Sequence, residues 1–285
     1  TVVIICKYKN NMKIGIDLGG TNIRAALIDG TKVVRKEKIS CPAQGKEEEV
    51  LNVIFTLIER IGTENVECIG AGVPSVVDTR RGIVYNVANI PSWTEVHLKK
   101  ILEERFGIPT YINNDSNCFT LGESRFGVGK DYMNMVGVTL GTGVGSGIII
   151  EGHLYEGRNA GAGEVGCLSY LDKDYESYCS TPFFVSHNTS GAELAAKAEQ
   201  GDMSALALWD EFGHHLGELA KAILFAYDPD AIVFGGGISD GHPYFEAAMR
   251  KAIETFPYET GKDVKILFSS DGDMALYGAS VLDEK

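Results

Sequence analysis

IGIDLGGTNIRAALI at residues 14–28 has a counterpart in VGVTLGTGVGSGIII at residues 136–150. Aligned without a gap, the two stretches share Gly15/Gly137, Leu18/Leu140, Gly19/Gly141 and Ile28/Ile150, and most other apolar positions match in kind. In each, a short apolar run enters a glycine-rich turn and leaves it into a second apolar run, the pattern of two strands joined by a tight turn. One copy lies in each half of the 285-residue chain. The repeat therefore predicts a duplicated pair of domains, each built around one hairpin and facing a shared cleft.

Outward from these hairpins, strand and helix signals alternate, which makes the chain α/β. Val50, Val53, Ile54, Leu57 and Ile58 recur at helical spacing. Strands are expected at 68–73 and 110–112, and helices at 98–106 and 116–126. In the second half, strands are expected at 135–140 and 147–150, followed by a polar stretch at 169–190. A long helix then carries Ala205, Leu208, Trp209, Phe212, Leu216, Leu219, Ile223 and Leu224 on one face, as core positions. Strands at 231–234 and 264–268 and a helix near 274–282 close the chain. The expected boundary near Asp115 divides an N-terminal lobe, 12–115, from a C-terminal lobe, 116–285, with the last helix packing back on the first lobe. Residues 1–11 read as an extension ahead of a start at Met12. Their apolar run, 2–6, is short, and its positive charges follow rather than precede it, unlike a signal peptide.

The formal charge is −13, a poor match to nucleic acid or an anionic membrane surface. Six cysteines stand at 6, 41, 68, 118, 167 and 179, with no C-x-x-C pair. This usage suits reduced thiols and a cytoplasmic home. No apolar run reaches about 18 residues, so no membrane-spanning helix is expected.

The turns carry the chemistry. Gly19, Gly20, Thr21 and Asn22 follow Asp17 at a strand end. Glycines let backbone N–H groups approach a phosphate, and successive N–H groups form an anion-binding concavity. Asp17 supplies an oxygen ligand for Mg²⁺, directly or through water. Gly141, Thr142 and Gly143 form the second turn, where Thr139 stands in place of an acid, so one bound nucleotide gripped by both turns fits the asymmetry. Gly235-Gly236-Gly237, at the end of a buried strand, leaves room for a flat ligand such as adenine or ribose.

The chain resembles the ROK family of sugar kinases and related repressors, within the actin/hexokinase ATPase superfamily. The resemblance rests on IGIDLGGTN (14–22), GVPSVVD (72–78), NIPSW (89–93), INNDSN (112–117), LGTGVGSG (140–147), GAGEVG (161–166) and DPDAIVFGGGIS (228–239), in the family's order. It implies a two-lobed actin-like, hexokinase-type fold of duplicated domains that close over their ligands. It further implies ATP and Mg²⁺ as cofactors, a hexose as acceptor at its 6-hydroxyl, and a homodimer. Asp115 matches the family's catalytic base. Asn89, Asn114 and Glu164 match positions that hydrogen-bond sugar hydroxyls, and Trp93 looks like a hydrophobic wall.

Two departures matter. Where the family usually reads E-x-G-H, this chain has Glu164-Val165-Gly166-Cys167, so Cys167 stands at the sugar-contacting histidine. The Cys-rich zinc segment is also missing: residues 168–190 hold only Cys179 and His187 as thiol or imidazole ligands. A tetrahedral site needs four ligands, so no structural zinc is expected. Packing anchored on Phe183 and Phe184 is expected to order the segment, and Glu176 is the competing fourth ligand. N-acetylhexosamine, fructose and allose remain alternative acceptors, and a catalytically silent sugar sensor is the alternative class. Family repressors carry a helix-turn-helix ahead of the first glycine turn. With eleven residues before Met12 and an acidic chain, a kinase is expected instead, with sugar and ATP as partners and no nucleic acid or membrane.

Overall fold

The computed structural model describes residues 12–158 and 160–284; the expected 1–11 extension lies outside the described residues. The chain forms two compact units. One takes in the residues up to Asp115 together with Ala279–Glu284, and the other comprises Ser116–Gly278.

The first unit opens with β1 (Met12–Leu18), β2 (Asn22–Asp29) and β3 (Lys32–Ser40), followed by α1 (Glu47–Ile61) and β4 (Val66–Val73). Three short strands, β5 (Val76–Asp78), β6 (Ile83–Tyr85) and β7 (Glu95–Val96), make a small separate sheet. Then come α2 (Leu98–Phe106), β8 (Thr110–Asn114) and α3 (Asp115–Arg125). The main sheet runs β3-β2-β1-β4-β8, antiparallel across β3, β2 and β1 and parallel from β1 to β4 to β8. Its central strands are covered on both faces, which is why they read as near-continuous apolar runs. The edge strand β3 is mostly exposed, with Lys32, Arg35, Lys36 and Lys38 along it. α1 puts Val50, Leu51, Ile54, Leu57, Ile58 and Ile61 into the core. Its first turn holds Glu47, Glu48 and Glu49 and its last turn Arg60, charges that suit the helix dipole.

The second unit repeats the plan. β9 (Met135–Leu140), β10 (Val144–Ile150), β11 (His153–Leu154), β14 (Ala231–Gly235) and β15 (Lys265–Phe268) form a sheet ordered β11-β10-β9-β14-β15. It is again antiparallel across β11, β10 and β9 and parallel from β9 to β14 to β15. Between β11 and β14 lie a small hairpin, β12 (Ser169–Tyr170) and β13 (Lys173–Asp174), and the helices α4 (Tyr175–Cys179), α5 (Thr181–Ser186), α6 (Gly191–Glu199) and α7 (Met203–Tyr227). α8 (His242–Ile253) and α9 (Met274–Ser280) follow. On α7, Leu208 is only partly buried, whereas Trp209, Phe212, Leu216, Leu219 and Ile223 are core. Each unit has its own apolar core, one around Ile16, Leu57 and Trp93, the other around Phe184, Trp209 and Phe234.

The duplicated hairpins differ from their gapless alignment by one residue. Leu18 pairs with Ile23, whereas Leu140 pairs with Val144. Four residues make the first turn and three the second, so Ile23 corresponds to Val144 and Asp29 to Ile150. Burial follows this corrected correspondence position by position along β2 and β10. Turn length sets hairpin register, and glycines at 141, 143, 145 and 147 hide the slip in the sequence because they match whichever way the strands are laid.

The stretch read as polar, 169–190, is folded rather than irregular. Phe183 and Phe184 are 2% and 1% exposed and Cys179 is fully buried. Tyr170 stacks on Tyr175 at 4.3 Å between ring centroids, and Phe184 meets Trp209 at 5.2 Å. Aromatic burial contributes roughly 1.5–3 kcal/mol per side chain to this packing.

Candidate functional site

The first unit holds one set of candidates. Asp17 lies near the end of β1 and Gly19 opens the turn by donating its N–H to the Asn22 carbonyl at 3.0 Å. Gly20 backs onto Asn89: a Cβ there would lie 2.8 Å from the Asn89 Cβ, so only glycine permits this approach. Thr21 is exposed and its carbonyl accepts the Cys41 N–H at 2.9 Å. Asn89 itself is exposed, on a loop pinned by Ile90 and Trp93, both fully buried. Trp93 thus lies in the core of the first unit. The structure brings the first turn and Asn89 together, although 69 positions separate Gly20 from Asn89 in the sequence.

Asn114 ends β8 and Asp115 begins α3. Buried Asn113 accepts the Asn114 N–H on its Oδ1 at 2.8 Å, and Asn114 Nδ2 reaches the Ser75 carbonyl at 3.4 Å. Asp115 is half-buried, and Ser116–Ser124 behind it are all buried. A carboxylate at the first residue of a helix is favoured by the dipole, and a helix packed on every side holds it still.

The second unit holds the other set. The carbonyl of Gly141 accepts the Thr181 N–H at 3.0 Å and its hydroxyl at 2.8 Å, and that of Thr142 faces Ser180 Oγ at 3.5 Å. The Val144 N–H donates to Glu176 Oε2 at 3.0 Å, and the same carboxylate lies against Gly143. The first N–H of β10, directly after the second turn, is thus already engaged by a carboxylate of the chain itself. Gly236, at φ 86°, packs against the Leu140 backbone, and the Ile238 N–H donates to the Leu140 carbonyl at 3.2 Å. That positive φ and close approach need glycine. The triple glycine, with Gly235 ending β14 and Gly237 open on the side where a Cβ would point, is thereby set beside the second turn.

Glu164 precedes a short 3₁₀ turn, Val165–Cys167, and Cys167 ends it. Desolvation, then the Glu176 carboxylate, holds the Glu164 carboxyl above its ordinary range even though the residue as a whole is exposed. Burial, then Glu164, Glu176 and Asp174, pushes the exposed Cys167 thiol up, so it stays protonated near neutrality. Glu176 is the candidate that the sequence reading missed in this role, having weighed it only as a metal ligand. Its partner Val144 stands 32 residues earlier, and no local pattern links the two. Among the described residues no three His, Cys, Asp or Glu side chains gather as metal ligands. Cys167 is exposed, Cys179 is enclosed, and His187 Nδ1 meets the Phe183 carbonyl at 2.9 Å.

Oxygen donors beside backbone N–H groups are what Mg²⁺ and a phosphate chain require, and Asp17 with the first turn fits that demand. Its carboxylate is already engaged, however. Arg24 donates to Asp17 Oδ2 from Nε at 3.0 Å and from Nη2 at 2.7 Å. Among the described residues no helix is long and apolar enough to cross a membrane.

The ROK family model matches residues 13–285. A glucokinase of Thermotoga maritima is 29% identical over 273 residues, covering 84% of this chain and 86% of its own. A xylose repressor of Bacillus spizizenii is 27% identical over 298 residues, covering 96% of this chain and 77% of the repressor. Among solved structures, a ROK family glucokinase from Streptomyces griseus in complex with glucose and AMPPNP gives a TM-score of 0.81 at 28% identity, over 95% of this chain and 99% of that one.

Proposed function

Because the chain belongs to the ROK family, we propose that it is an ATP-dependent sugar kinase that transfers the γ-phosphate to a hexose, at the 6-hydroxyl. The observation that carries this reading is the carboxylate of Asp115 at the head of a buried helix, next to Asn114. In the proposed reaction Asp115 accepts the proton of the sugar hydroxyl as its oxygen bonds to the γ-phosphorus. The bond from that phosphorus to the β–γ bridging oxygen breaks, and ADP leaves. Phosphoryl transfer asks the protein mainly for positioning and charge neutralisation.

Asn89 and Asn114 offer amides to sugar hydroxyls. Glu164 and Glu176 offer carboxylate acceptors, with Cys167 beside them as an uncharged neighbour in place of the family's imidazole. Gly19, Gly20, Thr21 and Asn22 in the first unit, and Gly141, Thr142 and Gly143 in the second, offer backbone N–H groups and hydroxyls to phosphate oxygens. Gly235, Gly236 and Gly237 leave space for the adenosine. Mg²⁺ would neutralise phosphate charge, with Asp17 as its ligand directly or through water. The protein works as a cytoplasmic homodimer in this reading.

A second reading, a silent sugar sensor, draws on the similarity to a repressor and on the cysteine at position 167. Coupled ADP-release assays over glucose, N-acetylmannosamine, N-acetylglucosamine, fructose and allose separate the two. One sugar is expected to give turnover, and Asp115→Asn is expected to cut it by about 10²–10⁴ while sugar still binds. Absence of turnover with every sugar, or an Asp115→Asn variant within about twofold of the parent, rejects the kinase reading or the assigned base respectively.

A further inference from the structure

Asp17 and Arg24 are direct cross-strand partners on β1 and β2. The guanidinium reaches Oδ2 through two nitrogens, with side chains 28% and 17% exposed for Arg24 and Asp17. An ion pair this accessible contributes little to stability. The second hairpin shows that the architecture does not need it. There, the corresponding cross-strand partners are Thr139 and Gly145, and Thr139 meets Ser116 Oγ at 3.0 Å. The same strand order and a tight glycine turn form without any charge pair. The pair is thus confined to the first hairpin, where an acid on β1 precedes the glycine turn.

We propose that Arg24 is a positioning residue for Asp17, holding its carboxylate in one orientation and setting, through its positive charge, how tightly a divalent cation is held beside the nucleotide. The inference rests on the kinase reading, in which Asp17 faces the metal. A guanidinium on one oxygen of the carboxylate fixes the other by the planarity of the group, so the acid is preorganised. The same guanidinium opposes a second cation at Asp17, which keeps the metal exchangeable with the nucleotide instead of resident in the protein. Two positive charges a few ångströms apart across partly exposed surface weaken binding by about three- to tenfold.

The test measures Mn²⁺ binding to the full chain by electron paramagnetic resonance in the presence of AMPPNP, for the parent, Arg24→Gln and Arg24→Lys. Arg24→Gln is expected to bind Mn²⁺ about three- to tenfold more tightly. Arg24→Lys, which keeps the charge, is expected to stay within about twofold of the parent. Unchanged or weaker binding by Arg24→Gln overturns the proposal, as does Arg24→Lys binding as tightly as Arg24→Gln. A parent that binds no Mn²⁺ with AMPPNP overturns the nucleotide reading itself, so the two failures are distinguishable. A merely structural role for Arg24 would lower the thermal midpoint of Arg24→Gln without tightening the metal.

Discussion

Glu123 is 1% exposed on α3, eight positions after Asp115, and its Oε2 accepts the Val128 N–H at 2.9 Å. Burial pushes its carboxyl up, against the lowering effect of hydrogen bonds from Ser269 and Val128. The folded protein therefore keeps this proton to higher pH than the unfolded chain, whose carboxyl titrates near 4.5. Where the native state binds more protons, stability falls as pH rises. Glu123→Gln keeps the shape and the acceptor for Val128 but cannot ionise. Its stability advantage over the parent is expected to grow as pH climbs from about 4.5 and to level off once the folded carboxyl has ionised. Urea denaturation between pH 4 and 8 checks this, and an advantage that does not change with pH contradicts it. Residue identity alone marked the turn glycines, Asp17, Asn89, Asn114, Asp115 and Glu164 as candidates. Glu176 and Arg24 were legible only as an acid and a base, because what makes them relevant is a contact across strands or across 32 residues.

At the scale of elements, the segment from β12 through α5 is packed through its aromatic side chains. Phe184 touches Phe183, Trp209 and Phe212, with ring centroids 5.0–5.3 Å apart. Phe184→Ala is expected to cost about 3–5 kcal/mol, the range for emptying an aromatic site in a core. Dialysis against EDTA is expected to leave the unfolding midpoint of the parent unchanged. Thermal melts of both samples, with metal analysis of the untreated protein, test the pair. Near-stoichiometric zinc whose removal lowers the midpoint would show that metal, not packing, orders the segment. The sequence displays the aromatics of this stretch but spaces them among polar residues. Their common face forms only when two short helices and a hairpin fold them onto α7, so the segment reads as polar until it is packed.

At the scale of the whole molecule, the chain's last described residues return to the first unit. Ala279–Glu284 belong to it, and the Lys13 ammonium on β1 holds Asp283 at 2.9 Å and also Glu284. Lys13 is 8% exposed. Burial alone would lower its pKa, but hydrogen bonds to Glu284 and Asp283 outweigh it and leave it raised. Of the three groups only Lys13 is buried, so removing both acids strands its charge. The double variant Asp283→Ala/Glu284→Ala is expected to lose about 3 kcal/mol, whereas Lys13→Met, which strands no buried charge, stays within about 1 kcal/mol of the parent. Chemical denaturation measures both, and equal losses would show that the pair acts only as surface packing.

The sequence by itself determined the α/β class, the duplication, the family, and the identity of most candidate residues. These depend on local pattern: apolar period, turn chemistry and glycine at fixed offsets act within a few residues of one another. Tertiary structure alone decided the one-residue offset between the two hairpins, the enclosure of Trp93, the folding of the polar stretch, and the engagement of Asp17 by Arg24 and of Val144 by Glu176. The physical reason is the same in each case. Register, burial and pairing are set by which side chains meet after the chain has folded, and a glycine-rich or polar stretch is compatible with several such meetings until packing selects one.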